Sequence, residues 1–521
     1  MPTRSARVAH TSLPDNASPT SDAIEGYARE LFEGLLTFAE QALAPGKTFL
    51  DFERELVPLV FALARALVAL FLCHRHEGLY VPTTEVVEGR AFVRSQAQDR
   101  EIATFFGAVR YWRTYMRGGG GGFYPLDRLL KLPVDGFSVN LVSLITRLAT
   151  KVSYAQARLV VTCFLGWSPS TRTIEKAVLG LGKNTQPWFE QAPPPPDDGE
   201  TLVIMIDSKA TPTATEHELK KRRGKRRRKG GGRSPRHRGR SKRKNWQEKR
   251  RRKKGDHSKN GRAATLVVMY TLKEANLPGG RQRLEGPINR RVYASYAGKR
   301  HAFEVARRDA TRRGFGPRSG KRIQLVFDGD PMLEKYAREL FPTATITLDV
   351  IHAVEYLWKA GRSFYREGSK QLAAWVAEQK DRLYAGKIKV IIRDLRRALD
   401  AVAKTGPGNK GKRSRLETAI RYLDARTDLM NYDELLDLDL EISSGPVEGA
   451  VRYVIAQRFD AAGMRWIVER SEALLQLRCI EINEQWDEFM RFVETRAGPR
   501  LALLATDAQP LPRLGSGRKS A

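Results

Sequence analysis

The sequence predicts an α/β core set between helical regions, and three observations predict it. Apolar runs of strand length begin only after residue 200, and three of them end at an aspartate. Apolar residues at helical spacing fill the chain on either side of those runs. Between the first helical region and the strands lies Pro193–Pro196, followed by Asp197 and Asp198, a stiff polar linker.

Residues 1–22 read as a disordered tail, and 23–117 as an N-terminal helical domain carrying Leu31, Leu35, Leu36 and Phe38. The apolar run from Leu56 to Cys73 has the length of a membrane span, but Pro58 and the central Arg65 favour a buried helix in a soluble domain. Gly118–Gly122 mark a flexible joint or a sharp turn. Residues 123–190 form a second helical block containing a helix-turn-helix candidate. Ser153 to Leu165 suits one helix, and Gly166-Trp167-Ser168 the turn, with Ser168 as N-cap and Pro169 at the first helical position. In the second helix Ile174, Ala177, Val178 and Leu181 share one face, and Gly182 stops it. Arg172, Thr173 and Lys176, with Ser170, then face outward where a DNA-reading helix needs them, although a plain helical hairpin has the same pattern.

Residues 191–199 are the linker. The strand-like runs are Thr201–Ile206 with Asp207 after it, Ala264–Tyr270, Arg291–Tyr296, Ile323–Phe327 with Asp328 after it, and Thr345–Leu348 with Asp349 after it. Helices are expected near His301–Arg313 and Met332–Leu340. The order β-β-β-α-β-α-β is an α/β pattern with an antiparallel start, as in ribonuclease-H-like nuclease domains. This core spans 200–361, followed by a helical region at 362–440, final helices at 441–497 and a disordered tail at 498–521.

The chain carries a formal charge of +32, very unevenly placed. Residues 220–262 hold 24 Lys or Arg against Glu248 and Asp256, leaving only +10 for the other 478 residues. Such a segment repels itself and buries no core, so it reads as a disordered insert whose partner is a polyanion, either nucleic acid or an anionic membrane surface. Cys73, Cys163 and Cys479 lie far apart without CxxC spacing, which argues against a disulfide framework or a zinc site and fits a reducing cytosol. The polar N-terminus reads as no secretory signal. No coiled-coil heptad stands out.

Three carboxylates are placed for chemistry. Asp207 and Asp328 each follow an apolar strand, and Glu448 lies just inside a helix announced by Ser443-Ser444-Gly445-Pro446. Phosphodiester chemistry spreads negative charge over non-bridging oxygens, and hard Mg²⁺ or Mn²⁺ held by carboxylates offsets it. Taken singly, an Asp after a strand also serves as a turn or N-cap residue, and a Glu in a first helical turn also serves the helix dipole. Asp330 is a rival ligand two residues past Asp328. Asp349 and His352 place a carboxylate and an imidazole near the same edge, or form an N-cap with a satisfied histidine.

Several ordered segments resemble the Kra-type (ISKra) insertion-sequence DDE transposases, relatives of the Mutator-like group. They are Gly122-Phe-Tyr-Pro-Leu-Asp127, the hairpin from Ser153-Tyr154 to Gly180-Leu-Gly182, and Asp207-Ser-Lys209 with Val-Val-Met-Tyr-Thr271. Phe327-Asp-Gly329, Leu340-Phe-Pro342 and Leu348-Asp-Val-Ile-His-Ala-Val-Glu-Tyr-Leu-Trp358 follow, then Ser444-Gly-Pro-Val-Glu-Gly449, Gly463-Met-Arg-Trp466 and Trp486-Asp487. The resemblance spans roughly 120–490. It implies an α/β ribonuclease-H-like catalytic domain with an all-helical insertion, preceded by an all-α DNA-binding region. It further implies that Asp207, Asp328 and Glu448 are catalytic and hold two Mg²⁺ or Mn²⁺ ions. Asp349 and His352 match the family's C/D-x-x-H signature near the site. The expected partners are transposon terminal repeats and target DNA, with a homo-oligomer in the synaptic complex, no membrane, and a cytoplasmic, nucleoid-associated place of action. A non-catalytic, domesticated DNA-binding protein and a nuclease that cuts without joining are the alternatives.

Among the basic residues of the insert, Lys220, Arg222, Arg226 and Arg251 are expected to meet phosphates. If about eight of the insert's charges do so, log affinity for duplex DNA falls against log salt with a slope near −7. Fluorescence anisotropy on a chain lacking 220–262 should give a much shallower slope. An unchanged slope would remove the insert from DNA binding.

Overall fold

The computed structural model describes residues 19–41, 48–219, 261–276, 282–460 and 464–512. The tail at 1–18, the basic insert at 220–260 with Lys220, Arg222, Arg226 and Arg251, and 513–521 lie outside the described residues. The protein is mixed α/β, and its chain divides into two units, at Asn184 and again at Glu484.

The first unit opens with a helical pair, Ser21–Gln41 and Phe49–Glu77. The second helix starts at a capping box, in which Thr48 Oγ1 accepts from the Asp51 amide (3.2 Å) and the Asp51 carboxylate accepts from the Thr48 amide (3.2 Å). The expected all-helical domain at 23–117 is corrected here. Residues 84–123 form an antiparallel meander of β1 (Thr84–Val87), β2 (Arg90–Thr104), β3 (Gly107–Gly118) and β4 (Gly121–Phe123). The period of two is visible in β3, where Val109 and Tyr111 are buried between exposed Ala108 and Arg110. Glu88 and Gly89, both at positive φ, make the two-residue turn from β1 to β2. The glycine run is likewise a hairpin turn, since Gly118 pairs with Gly121 across Gly119-Gly120. Ile24, Ala69, Leu72, Ile102, Val109, Tyr111 and Leu126 form the core between helices and sheet.

The helix expected at Leu56–Cys73 exists, but its burial does not: only 17% of its most apolar window is inside the protein. It is the one helix among the described residues long and apolar enough to cross a membrane by length and composition. Its sides toward Ser21–Gln41 and the sheet are covered, and its remaining face is exposed among the described residues.

Three further helices follow, Val139–Lys151, Tyr154–Leu165 and Thr171–Gly182. The turn ends at Ser170 rather than Ser168, because Ser170 Oγ accepts from the Thr173 amide (3.1 Å) and so caps the helix, while Pro169 sits buried in the turn. Ile174, Ala177, Val178 and Leu181 are fully buried, Arg172 is exposed, and Thr173 and Lys176 are half-buried. Helix Trp486–Ala497 belongs to this unit, not to the catalytic core as expected: Trp486 Nε1 donates to Ser143 Oγ (2.8 Å). The expected tail from 498 also needs correcting through 512. Leu501 and Leu503 are buried, the Leu503 and Leu504 amides donate to the Asp135 carboxylate, and the Ala505 amide donates to the Lys176 carbonyl (2.9 Å). Gly180 permits this close approach, since a Cβ there would meet the Leu503 carbonyl oxygen at 2.0 Å.

The second unit is built on a five-stranded mixed sheet in the order β7-β6-β5-β8-β9. Its strands are β5 (Thr201–Thr211), β6 (Arg262–Asn276), β7 (Gln282–Ser295), β8 (Arg322–Phe327) and β9 (Thr345–Leu348). The first three are antiparallel, and β5–β8 and β8–β9 are parallel. Near-continuous apolar sequence in β5, Leu202–Ile206, fits a central strand covered on both faces. Helices Lys299–Arg312, Pro331–Leu340 and Val350–Gly361 connect or follow the later strands. A helical insertion then runs through Lys370–Tyr384, Ile388–Ala401, Asn409–Asp424 and Tyr432–Asp437. The chain returns through Gly445–Ala450, which packs on β5 and β6, and a π-helical turn, Val451–Ala456.

Helix Val468–Ile482 closes against β7 through Glu472. Its carboxylate accepts from Ser295 Oγ (2.6 Å), the Tyr296 amide (2.7 Å) and Gln476 Nε2 (2.7 Å). Burial outweighs these bonds and pushes its pKa up to about 7. Between the unfolded value of 4.5 and about 7 the unfolded chain has released the proton that the folded chain keeps. Stability contributed by the neutral form is therefore full below that window and lost as pH rises through it. Glu472→Gln, which keeps an acceptor and carries no titrating proton, should abolish the slope and melt higher than the native chain at about pH 8, by on the order of 3 kcal/mol. Thermal melts at about pH 5 and about pH 8 test this. Parallel pH profiles for the two chains would refute it.

Candidate active site

Register gathers the acids of the second unit. β5 and β8 pair from Thr201 opposite Arg322 to Met205 opposite Val326, a constant offset of 121 residues. Carried two residues further, that offset sets Asp207 level with Asp328. Asp207 does not end its strand as expected, since β5 continues to Thr211 against β6; what ends there is the ladder with β8. Phe327 pairs with Leu348, and the Asp349 amide donates to the Phe327 carbonyl (2.9 Å). Asp207, Asp328 and Asp349 thus lie at one edge of three neighbouring strands.

Asp207 Oδ1 accepts from the Ser208 amide (2.6 Å). Burial, and then the charge of Asp328, raise its carboxyl above the ordinary range, while the Ser208 amide and the charges of His352 and Lys299 oppose the rise. Asp328 Oδ1 accepts from the Asp330 amide (3.0 Å), bending the chain into the next helix. Gly329 follows at φ +78, and a Cβ there would strike the Tyr422 hydroxyl at 2.5 Å and Leu348 at 2.8 Å. Tyr422 Oη donates to the Asp328 carbonyl (2.9 Å) and Arg426 Nη2 to the Gly329 carbonyl (2.7 Å), so the helical insertion grips this turn directly.

Asp330 has a different role from its neighbour. It caps helix Pro331–Leu340 by accepting from the Met332 amide (2.8 Å), and it pairs with Lys299. Burial would raise its carboxyl, but the Lys299 ammonium and the helix amides hold it below the ordinary range. Its oxygens are spent on structure.

Asp349 is fully buried. Its Oδ2 accepts from Ser444 Oγ (2.7 Å) and contacts His352 Nδ1 (2.7 Å); its Oδ1 accepts from the Ile351 amide (3.0 Å) and the Ser444 amide (3.3 Å). Burial alone would raise this carboxyl, but the bonds from His352, Ser444 and Ile351 prevail and hold it low. The same contact pushes His352 up to about 9, against its own burial, with help from the charges of Glu355 and Asp328. His352 is thus held toward its protonated form, with Nδ1–H toward Asp349. One ligand atom each of Asp349, His352 and Glu448 lies within 4.8 Å of the other two. Glu448 itself is exposed, and among the described residues its carboxylate has no hydrogen-bond or ion-pair partner.

Asp207, Asp328 and Asp349 thus lie at one strand edge with His352 beside them, while Glu448 is placed by its closeness to Asp349 and His352; among the described residues no group of metal-ligating side chains within 4.8 Å of one another includes Asp207 or Asp328. Arg172, Thr173 and Lys176 belong to the first unit, and the basic insert lies outside the described residues. Sequence reading missed Lys299, Ser444, Tyr422 and Arg426. Ser444 lies in the quoted Ser-Gly-Pro-Val-Glu segment, so its importance had a signal; Lys299 had none. As for cation binding, Asp207, Asp328 and Glu448 each keep at least one carboxylate oxygen without a donor among the described residues, the hard donor set that a divalent cation takes. Asp349, saturated by hydrogen bonds, fits a positioning role better than a ligand's.

Asp349→Ala would strand Ser444, the Ile351 amide and a charged imidazole, and should cost about 3 kcal/mol in urea unfolding. Ser444→Ala, which removes one hydroxyl donor, should cost about 1 kcal/mol. Equal losses in the two variants would show that Asp349 is not the hub described.

No protein-family model matches this chain and no curated protein does, so what the site does has to be argued from its own residues.

Proposed function

We propose that the protein is a DNA transposase of the DDE type, cutting transposon ends and joining them to target DNA through Asp207, Asp328 and Glu448. The observation that carries this reading is the β5–β8 register, which sets a half-buried Asp207 level with Asp328 at the carboxyl edge of the central strands. Burial, and then the charge of Asp328, raise the cost of ionising Asp207, a cost that a shared cation would lower. The sheet order supports a ribonuclease-H-like core: counted along the chain it is 3-2-1-4-5, antiparallel among the first three strands and parallel beyond. The helices between Val350–Gly361 and Glu448 agree with an insertion placed between the second aspartate and the glutamate.

In this reading Asp207, Asp328 and Glu448 hold the ions. Divalent cations, Mg²⁺ or Mn²⁺ and two in number, supply Lewis-acid stabilisation of charge on the phosphoryl oxygens and make the attacking oxygen more acidic. Water attacks phosphorus at the transposon end, the P–O3′ bond breaks, and a 3′-hydroxyl leaves. That hydroxyl then attacks a target phosphodiester, forming one P–O bond as another breaks. The exchange needs no external energy source and no covalent enzyme intermediate. His352, kept protonated by Asp349, donates Nε2–H toward the developing negative charge, and Lys299 adds a second positive group beside Asp207.

The test uses the full chain, Mg²⁺ and DNA carrying the ends of the surrounding element. Asp328→Asn should lower cleavage on the order of 10³-fold while retaining DNA binding. Asp330→Asn, which keeps its cap, should stay within a few-fold of the native chain. Binding without cleavage by the native chain would make it an architectural protein, and cleavage without joining a nuclease. Undiminished activity in Asp328→Asn would dismiss the triad.

A further inference from the structure

The segment that carries Glu448 is helical without a break from Gly445 to Phe459, and its middle, Val451–Ala456, is wound as a π-helix. In an unbroken α-helix positions 448, 455 and 459 would share one face, because seven and eleven residues fall within about 20° of whole turns. Ile455 and Phe459 are fully buried, yet Glu448 is exposed. Ala450, which an unbroken α-helix would set about 180° from Phe459, is fully buried as well. The π turn accounts for both departures. Its i→i+5 ring takes in one residue more than an α turn, so it sets back everything before it by about one residue, roughly 100°. Glu448 is thereby turned off the core face, and Ala450 is brought toward it. In that orientation a ligand atom of Glu448 lies within 4.8 Å of those of Asp349 and His352.

A π turn puts donors and acceptors out of step. The Gln457 amide, which an α-helix would give to the Tyr453 carbonyl, donates instead to the Arg452 carbonyl. Arg478, on helix Val468–Ile482, supplies donors at this place. Its Nε donates to the Val454 carbonyl (2.9 Å) and, at longer range, to the Tyr453 carbonyl (3.2 Å), and its Nη2 donates to the Tyr453 carbonyl too. Arg478 is buried, so these bonds offset the cost of taking a guanidinium out of water. We propose that Arg478 is a positioning residue: by holding the π turn through two backbone carbonyls, it aims Glu448 at the Asp349–His352 pair. The planar fork of arginine suits this task, whereas a lysine ammonium is a single point of charge on a flexible stem. Arg478 sets the direction of Glu448 through the backbone alone; its effect on cation binding rests on the proposed role of Glu448 as a ligand.

The direction of the helix can be read in the full chain from the rate at which a maleimide labels a cysteine placed at 448 or at 450, followed by peptide mass spectrometry. Exposed Cys163 normalises the rates, and buried Cys479, next to Arg478, reports any general opening. With Arg478 present, Glu448→Cys should react fast and Ala450→Cys slowly. Adding Arg478→Met should reverse the pair, slowing 448 and speeding 450 by at least about 10-fold each, with Cys479 still protected. Arg478→Lys should give a partial reversal, and it decides the matter by the same criterion if Arg478→Met exposes Cys479. Unchanged rates at both positions overturn the proposal. So does acceleration at both with Cys479 protected, which is loosening and not rotation. The second readout is Mn²⁺ binding without DNA, followed by electron paramagnetic resonance. Arg478→Met should weaken it several-fold, as Glu448→Gln does, with no further loss when the two are combined. Weakening by Glu448→Gln but not by Arg478→Met overturns the positioning role. A native chain that binds no Mn²⁺ removes Glu448 as a ligand, while reversal at 448 and 450 still upholds what Arg478 does.

Discussion

A carboxylate without access to water has to find donors inside the protein, and Asp349 finds four. They come from three directions: the amide of its own helix, the imidazole one turn on, and both the hydroxyl and the amide of Ser444. Ser444 immediately precedes the helix that carries Glu448, and Val350 adds a second tie by donating to the Ile442 carbonyl (2.9 Å). The strand edge and the returning helix are thus joined at one buried point. That point and the packing of helix Gly445–Ala450 on β5 and β6 together bring Glu448 back to the sheet across about 100 residues of intervening chain. An ionised group costs least in such a place when every lone pair is used, and this one is held low in pKa despite its burial.

The insertion is part of the same construction. Its helix Asn409–Asp424 contributes the Tyr422 hydroxyl, and Arg426 follows just beyond; both bond backbone carbonyls of the turn after Asp328. Tyr422 also stacks on Tyr356 with ring centroids 3.6 Å apart, and Tyr432 Oη donates to the Leu348 carbonyl (2.8 Å). The turn has no room for a side chain at Gly329 because these groups fill it. A domain inserted between two acids therefore fixes the backbone that presents one of them.

What the sequence made legible follows from what one-dimensional patterns encode. The strands of the second unit were readable because burial on both faces demands continuous apolar runs, and β9 is found at Thr345–Leu348, where it was expected. The meander at 84–123 was not, because β2 is exposed along most of its length and its polar residues give no apolar alternation to count. The acids were visible as residue types at strand ends. Their division into Asp349 as hub and Asp330 as cap was not, since that depends on Ser444 and Lys299 arriving from distant sequence. The apolar helix shows the limit best. Composition suggested burial, and only three-dimensional packing reveals that Leu50, Val57, Val60, Leu67 and Phe71 stay exposed among the described residues.

Charge gives the last constraint. On the proposed reading a DNA strand at the sheet edge would meet Asp207, Asp328 and Glu448, with Asp349 buried behind them, and the positive groups beside them among the described residues are His352 and Lys299. One of the four acids is neutralised internally by its imidazolium, and Lys299 is shared with Asp330. On the proposed reading three carboxylates would then face a phosphate with little to offset them, and at close range salt screens that repulsion only in part. On the same reading the charge of the basic insert would raise the local concentration of DNA without orienting it. On that reading, cations held between carboxylate and phosphate oxygens would turn the repulsion into attraction. Burial and the charge of Asp328, which make Asp207 reluctant to ionise alone, would favour a divalent ion there.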